Sequence, residues 1–329
     1  MTDYKAIKGK TVQSLASDLA NAEGEGEIWF NSTDKDFKTI VSTGAWASGG
    51  TMGTARYYLG GCGTITAQLA FGGGTPGVQG ETEEYNGTSW SEEDDLTTPR
   101  DQLPGCGTQT AALAVGGNIH PAVQDLVEQY DGSSWTEVND LNTARRTSNA
   151  MGTTTAAICA GGGTPTVVAN TESWNGTSWT EVNAMNTARF YAGGCGTSTT
   201  AAVYGGSPPT VALTETWNGT SWTEVADLPA ANSNLTGSGT SSDNALAIGG
   251  LAPGRVATCN LFDGTAWSSS PALSDARDNN SKSSTGPNTA CMAVAGMTDT
   301  APSGAATTEV YTVTTVTGPG AQNVKTITD

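Results

Sequence analysis

The sequence predicts an all-β protein built as a six-bladed β-propeller, and three observations carry that expectation. An aromatic residue, Asn-Gly or Asp-Gly, two small residues and Trp recur about every 44 residues, at 85–90, 130–135, 174–179, 217–222 and 262–267. Six units start at Arg56, Arg100, Arg145, Arg189, Asn232 and Arg277. Between these marks lie short alternating segments and Gly turns. A period this long with such content is the mark of one four-stranded sheet per repeat.

The elements follow in order within each unit. After the start comes a short strand, then a Gly-x-Gly-Thr turn, then an apolar strand such as residues 110–115 ending in paired glycines such as Gly116 and Gly117. This is an inner hairpin, whose small residues suit a crowded centre. A third strand ends at the aromatic before Asn-Gly or Asp-Gly, the strongest short-range hairpin signal, and a fourth begins at the Trp. The N-terminal side supplies one more Trp strand: Trp46 stands ten residues before Arg56, as Trp90 stands ten before Arg100. At the far end, residues 308–311 (Thr-Glu-Val-Tyr) match a third strand with no Trp strand after them. The strand around Trp46 is therefore expected to complete the last blade, which removes the exposed edge of an open ring.

The order of an Arg-led strand, an apolar strand ending in Gly-Gly (Gly72-Gly73, Gly116-Gly117, Gly205-Gly206, Gly249-Gly250), an aromatic and a Trp resembles the kelch repeat. The aromatic-to-Trp spacing is shorter than usual for kelch, and the sixth unit has only Ala295-Gly296. The N-terminal residues 4–11 and 26–33, the latter containing Trp29-Phe30-Asn31, resemble the opening of tailed-phage virion proteins. Kelch-like chains with Asn-Gly-Thr-Ser-Trp units are also similar to proteins of marine phages. The resemblance implies a tail-fibre or appendage type of virion part with the N-terminal lead as its anchor, including Tyr4, Lys5, Lys8, Lys10 and Trp29. It also implies several copies per particle, other virion structural proteins as partners of the arm, and assembly in the host cytoplasm.

Composition narrows the function classes. The formal charge of −18 argues against nucleic acid, itself a polyanion. No stretch approaches the length of a membrane span, and residues 1–30 read as lacking a secretion signal. Lys5, Lys8, Lys10, Lys35 and Lys38 precede the repeats, so a basic arm precedes an acidic disc. A dock for an acidic partner and a merely solvated set of lysines are both open readings of it. The six cysteines have no Cys-x-x-Cys pair. Cys62, Cys106 and Cys195 occupy the same position in different repeats, so free buried thiols are expected, and with them a reducing compartment.

Candidate sites are few. Arg56, Arg100, Arg145, Arg189 and Arg277 could form a ring that binds an anion. Against this, Glu83, Glu128, Glu172, Glu215 and Glu309 repeat in step with them, and the fifth unit replaces both partners, with Asn232 and Asn260. Joint loss is what an intrablade ion pair predicts, because removing one partner of a buried pair costs far more than replacing both. The pairs are favoured. The outer aromatics are read as packing between blades and the Asn-Gly-Thr sequons as turns. The Asp-Gly turns do not match the sialidase Asp-box, whose Asp and Gly are separated by one residue, whereas here they adjoin. His120, the one histidine, is not a metal site by itself. No catalytic residue, cofactor or metal site is expected.

The loops after the Gly pairs vary most, and recognition is usually carried by loops on a rigid scaffold. Asn118, Ile119, His120, Thr166, Val167, Pro208 and Pro209 are the candidate binding residues. The expected organisation is an arm with a β-hairpin over residues 1–36, a propeller over 37–317 and a tail over 318–329. The expected function is a non-enzymatic structural or attachment protein of a phage particle, its disc displayed to a protein or host surface. A carbohydrate-binding, lectin-like propeller stands as the alternative, and a glycan hydrolase as a third.

Overall fold

The computed structural model describes residues 13–15, 28–33, 36–280 and 286–319. Residues 46–311 form one compact unit, and residues 1–45 with 312–329 form a second. Among the described residues there is no helix, so none is long and apolar enough to cross a membrane.

The first unit is a six-bladed β-propeller. Blade 1 pairs Gly60–Thr64, Ala67–Phe71, Thr82–Tyr85 and Trp90–Glu93 in antiparallel order. Blades 2 to 5 repeat the plan. The hairpin register places each blade's aromatic opposite its Trp, as in Tyr85 with Trp90 and Trp174 with Trp179. At these turns the Asn or Asp side chain folds the chain itself: Asn86 Oδ1 accepts from the N–H groups of Thr88 and Ser89 at 3.0 Å each. In blade 6, Ala290–Val294 neighbours Thr308–Pro319, which in turn neighbours Asp36–Ser48. Within the propeller the last of these contributes Trp46, whose ring lies 5.1 Å from that of Tyr311 and whose Nε1–H donates to Pro271 O of blade 5 at 2.9 Å. The N-terminal strand closes the ring.

The core sits between blades instead of at a single centre. Val115, Val127 and Leu141 of blade 2 pack with Ala157, Cys159, Trp174 and Trp179 of blade 3. Met52, Leu59 and Tyr85 of blade 1 meet Met292 and Val294 of blade 6. The outer tryptophans stitch the same seams. Nε1–H of Trp135, Trp222 and Trp267 donates to Oγ1 of Thr82, Thr171 and Thr214 in the preceding blade, at 2.9, 3.0 and 3.1 Å.

Two closed rings of backbone hydrogen bonds surround the channel. In one, the second residue of each Gly pair donates to the carbonyl of the next unit's starting residue, from Gly73 to Arg100 (3.0 Å) around to Gly296 and Arg56 (2.9 Å). Gly116 shows why the preceding position is glycine. Its φ is +58°, and a Cβ there would stand 2.4 Å from Arg145 O. In the sixth unit Ala295 takes this conformation at φ 57°. The other ring joins the residues two positions after each unit start. Tyr58, Gln102, Thr147, Tyr191, Asn234 and Asn279 each donate N–H to the carbonyl of the one before, at 2.7 to 3.3 Å. All six have positive φ, between 51° and 58°, which is uncommon for residues with a Cβ.

In the second unit, Ile28–Asn31 pairs antiparallel with the start of Asp36–Ser48, and Gln13–Leu15 pairs parallel with Ile28–Asn31. Trp29 is buried there, opposite Lys38.

Candidate functional site at the channel mouth

The five arginines are buried in the blades. Their carboxylate partners are those the repeat predicts: Arg56–Glu83 at 2.7 Å, Arg145–Glu172 at 2.7 Å, Arg189–Glu215 at 2.5 Å, Arg277–Glu309 at 2.8 Å, and Arg100–Glu128. Each guanidinium also donates to backbone carbonyls. Arg145 reaches Gly161 O and Asn170 O at 3.2 and 2.8 Å. Each glutamate accepts from the segment that leads into its unit, as Glu172 does from the N–H of Asn142 (2.7 Å) and Thr143 (3.2 Å). A carboxylate holding three or more donors is a structural clamp. In blade 5, Asn232 Nδ2 donates to Gly249 O at 2.8 Å, the same Gly-pair carbonyl that Arg56 and Arg145 bind in their own blades.

The residue after each unit start lies beside the residue that follows the Gly pair. Tyr57 pairs with Gly74, Asp101 with Asn118, Arg146 with Gly163, Phe190 with Ser207, Ser233 with Leu251 and Asp278 with Met297. The varied loops therefore share one face, around the channel mouth. In blade 2 the strands Ala111–Ile119 and Ala122–Tyr130 are longer than their counterparts and present His120 and Pro121 at the turn. In blade 3 a small ribbon, Gly163–Thr164 with Thr166–Val167, carries exposed Thr166. Pro208 and Pro209 are exposed in blade 4, whereas Asn118 is buried.

Four half-buried aromatic rings run across the mouth. Tyr57 lies 5.3 Å from Tyr58, Tyr58 stacks on Tyr191 at 6.0 Å with 27° between planes, and Tyr191 lies 4.4 Å from Phe190. Blades 1 and 4 thus meet over the channel. Burial raises the Tyr58 phenol well above its usual value, with Tyr191 and the negative charges of Asp278 and Asp101 adding to the shift. Tyr58 therefore stays neutral and can give or take hydrogen bonds.

Carboxylates flank this row on both sides. Asp101 Oδ2 is 3.0 Å from His120 Nε2, and His120 Nδ1 is 2.8 Å from Asn118 Nδ2. With the Asn118 amide donating to Nδ1, the Nε2–H donates to Asp101, and both ring nitrogens are engaged. Burial raises the Asp101 carboxyl, against the opposing pull of His120 and Arg146. Asp278 Oδ1 accepts from Arg255 Nε at 2.8 Å, and Arg255 also reaches Asp299 at 3.3 Å. Burial raises Asp278 too, and Arg255 opposes it. Charge at the mouth is therefore close to balanced, on a chain that is strongly acidic as a whole.

Sequence reasoning reached the loops but not Tyr57, Tyr58, Asp101, Phe190, Tyr191 or Asp278. A signal was present: one and two residues past each start the repeat reads Tyr-Tyr, Asp-Gln, Arg-Thr, Phe-Tyr, Ser-Asn and Asp-Asn, with no common residue. Of the anchor residues, Tyr4, Lys5, Lys8 and Lys10 lie outside the described residues. All six cysteines are free and buried, and burial pushes the Cys106 thiol up to about 12. Among the described residues no group of three or more His, Cys, Asp and Glu could hold a metal ion. No family model matches the sequence, and no curated protein matches it.

Proposed function

We propose that the chain is a non-enzymatic attachment or structural protein of a phage particle, with the propeller displayed and its loop face turned to a partner. The observation that carries this reading is the contrast between a uniform scaffold and one varied face. The ion pairs recur in five blades, Trp-to-Thr bonds at three of the seams and the turns from blade to blade, whereas the channel mouth and the six adjoining loops differ in every blade. Rigid scaffolds with one varied loop face recognise partners. The virion assignment rests on the resemblance of the N-terminal lead and of the kelch-like repeats to phage proteins. Cross-linking mass spectrometry on purified particles tests it. Links from Lys5, Lys8, Lys10, Lys35 or Lys38 to a capsid or tail protein are expected, and absence of the chain from particles would remove the reading.

Carbohydrate binding is favoured as the second reading by the aromatic row Tyr57, Tyr58, Tyr191 and Phe190, flanked by Asp101 with His120 on one side and Asp278 with Arg255 on the other. Aromatic faces with acceptors and donors on either side suit a neutral, hydroxyl-rich ring. A glycan array separates the two, since a purely structural part binds none of its sugars.

A further inference from the structure

Below the aromatic row the channel holds a small cavity of about 20 Å³, lined in part by Gln102, Asn234, Asn279 and Asn280. That is room for one occupant the size of a water molecule. Gln102 Oε1 and the Oδ1 atoms of the three asparagines are all buried, and none accepts a hydrogen bond; Asn280 Nδ2 is likewise buried and unpaired, so both ends of that amide are open to a ligand. Four orphaned acceptors on one cavity wall call for a physical reason, because buried polar atoms are almost always paired.

Two of the amide orientations are fixed by a neighbour. Asn279 Nδ2 donates to Asp278 Oδ2 at 3.2 Å, and the Asn234 side chain also hydrogen-bonds the Asp278 carboxylate. An ionised carboxylate only accepts, so both amides give it their nitrogens and keep their oxygens without a donor. On the same wall Thr147 Oγ1 donates to Arg146 O at 2.7 Å, and the Tyr58 and Tyr191 hydroxyls interact with one another, which takes up one of their two protons. A single water has two protons to give, which leaves two of the four oxygens unsatisfied. A desolvated cation satisfies all of them. The wall offers neutral amide oxygens and no carboxylate, whereas calcium sites are built largely on carboxylates. Neutral oxygens that replace a hydration shell are the ligands of alkali cations.

We propose that this cavity binds one alkali-metal cation of the sodium or potassium class through Gln102, Asn234, Asn279 and Asn280. Asp278 is a positioning residue, holding two of the amides. The ion joins blades 2, 5 and 6 across the channel. This inference is independent of the protein's role on a particle.

The test is thermal unfolding of the full chain in sodium, potassium, rubidium and choline chlorides at equal ionic strength, with anomalous diffraction from crystals grown in rubidium chloride. An ion that binds only the folded state raises Tm with its concentration. The expected result is a rise in at least one alkali chloride over choline, its loss in Asn280→Ala and in Gln102→Met, and a rubidium peak in the cavity. Equal Tm in all four salts with no rubidium peak would overturn the proposal, as would a cation-specific rise that survives both substitutions. Should either variant fail to fold, the rubidium measurement on the unaltered chain still decides.

Discussion

The N–H of Tyr58 donates to the carbonyl of Asn279 at 2.9 Å, joining the first unit to the last. It is the closing member of a ring in which every bond links neighbouring blades. Each participant adopts a left-handed backbone, which costs about 1 kcal/mol or more per residue with a Cβ. Glycine would avoid that cost. All six positions carry a side chain instead, and those side chains fill the channel and shape its mouth. The strain and the cavity are thus two results of the same closure.

Closure also depends on the outer rim. Trp46 is half-buried against Tyr311 and bonded to Pro271. Trp46→Ala is expected to cost about 2 to 3 kcal/mol, somewhat below a fully buried Trp truncation. Trp46→Phe should lose only the N–H bond, about 1 kcal/mol. Urea unfolding of the two variants checks the order, and equal costs would mean that the ring contact with Tyr311 contributes nothing.

The buried clamps should be strongly non-additive. Arg145→Asn alone leaves Glu172 without its cation and, with the new amide on Gly161 O as Asn232 is on Gly249 O, removes the Arg145 donors from Thr143 O and Asn170 O, for a loss of about 3 to 5 kcal/mol. Arg145→Asn with Glu172→Asn reproduces the arrangement of blade 5 and should cost clearly less than the two single changes added together. A double-mutant cycle in denaturant measures the coupling, and additivity would argue against the clamp.

Trp179 breaks the pattern of the Trp seams. Its Nε1–H is buried without a partner, and the residue matching Thr82, Thr171 and Thr214 in the preceding blade is Val127. Val127 and Trp179 share one apolar cluster. Val127→Thr keeps the shape and supplies the missing acceptor, so it should stabilise by about 1 kcal/mol. A lower denaturation midpoint for this variant would show that desolvating the hydroxyl outweighs the bond.

Asp101 gives the channel mouth a pH dependence of definite sign. Its folded carboxyl titrates above the ordinary 3.8 because burial outweighs His120 and Arg146. The folded state therefore holds this proton more tightly than the unfolded chain does. That contribution is complete below the unfolded value and is lost as pH rises through the folded one. The stability of Asp101→Asn relative to the parent should rise as pH increases through and above the ordinary carboxyl value of 3.8, as the carboxyl ionises in the parent alone. A flat difference there would place the carboxyl in a more solvated setting.

Much of the architecture could be read along the chain because repetition supplies its own controls. Period, Asn-Gly turns and six unit starts define six blades. Trp46, with no blade of its own, and Tyr311, with no Trp strand after it, define the splice. The Arg and Glu repeats, lost together at Asn232 and Asn260, point to the clamps. The channel mouth was not legible in that way. Tyr57, Tyr58, Phe190 and Tyr191 are about 130 residues apart as two pairs, and nothing local says that they converge.

Strand order, turn chemistry, blade number and the in-step ion pairs depend on neighbours in the chain or on identical units, and so can be read along it. Which non-identical residues share the axis follows only from the closed ring. Ring closure brings one position from each blade to a common centre, so the row of aromatics, the orphaned amides and the balanced charges arise from juxtaposition that no spacing rule encodes.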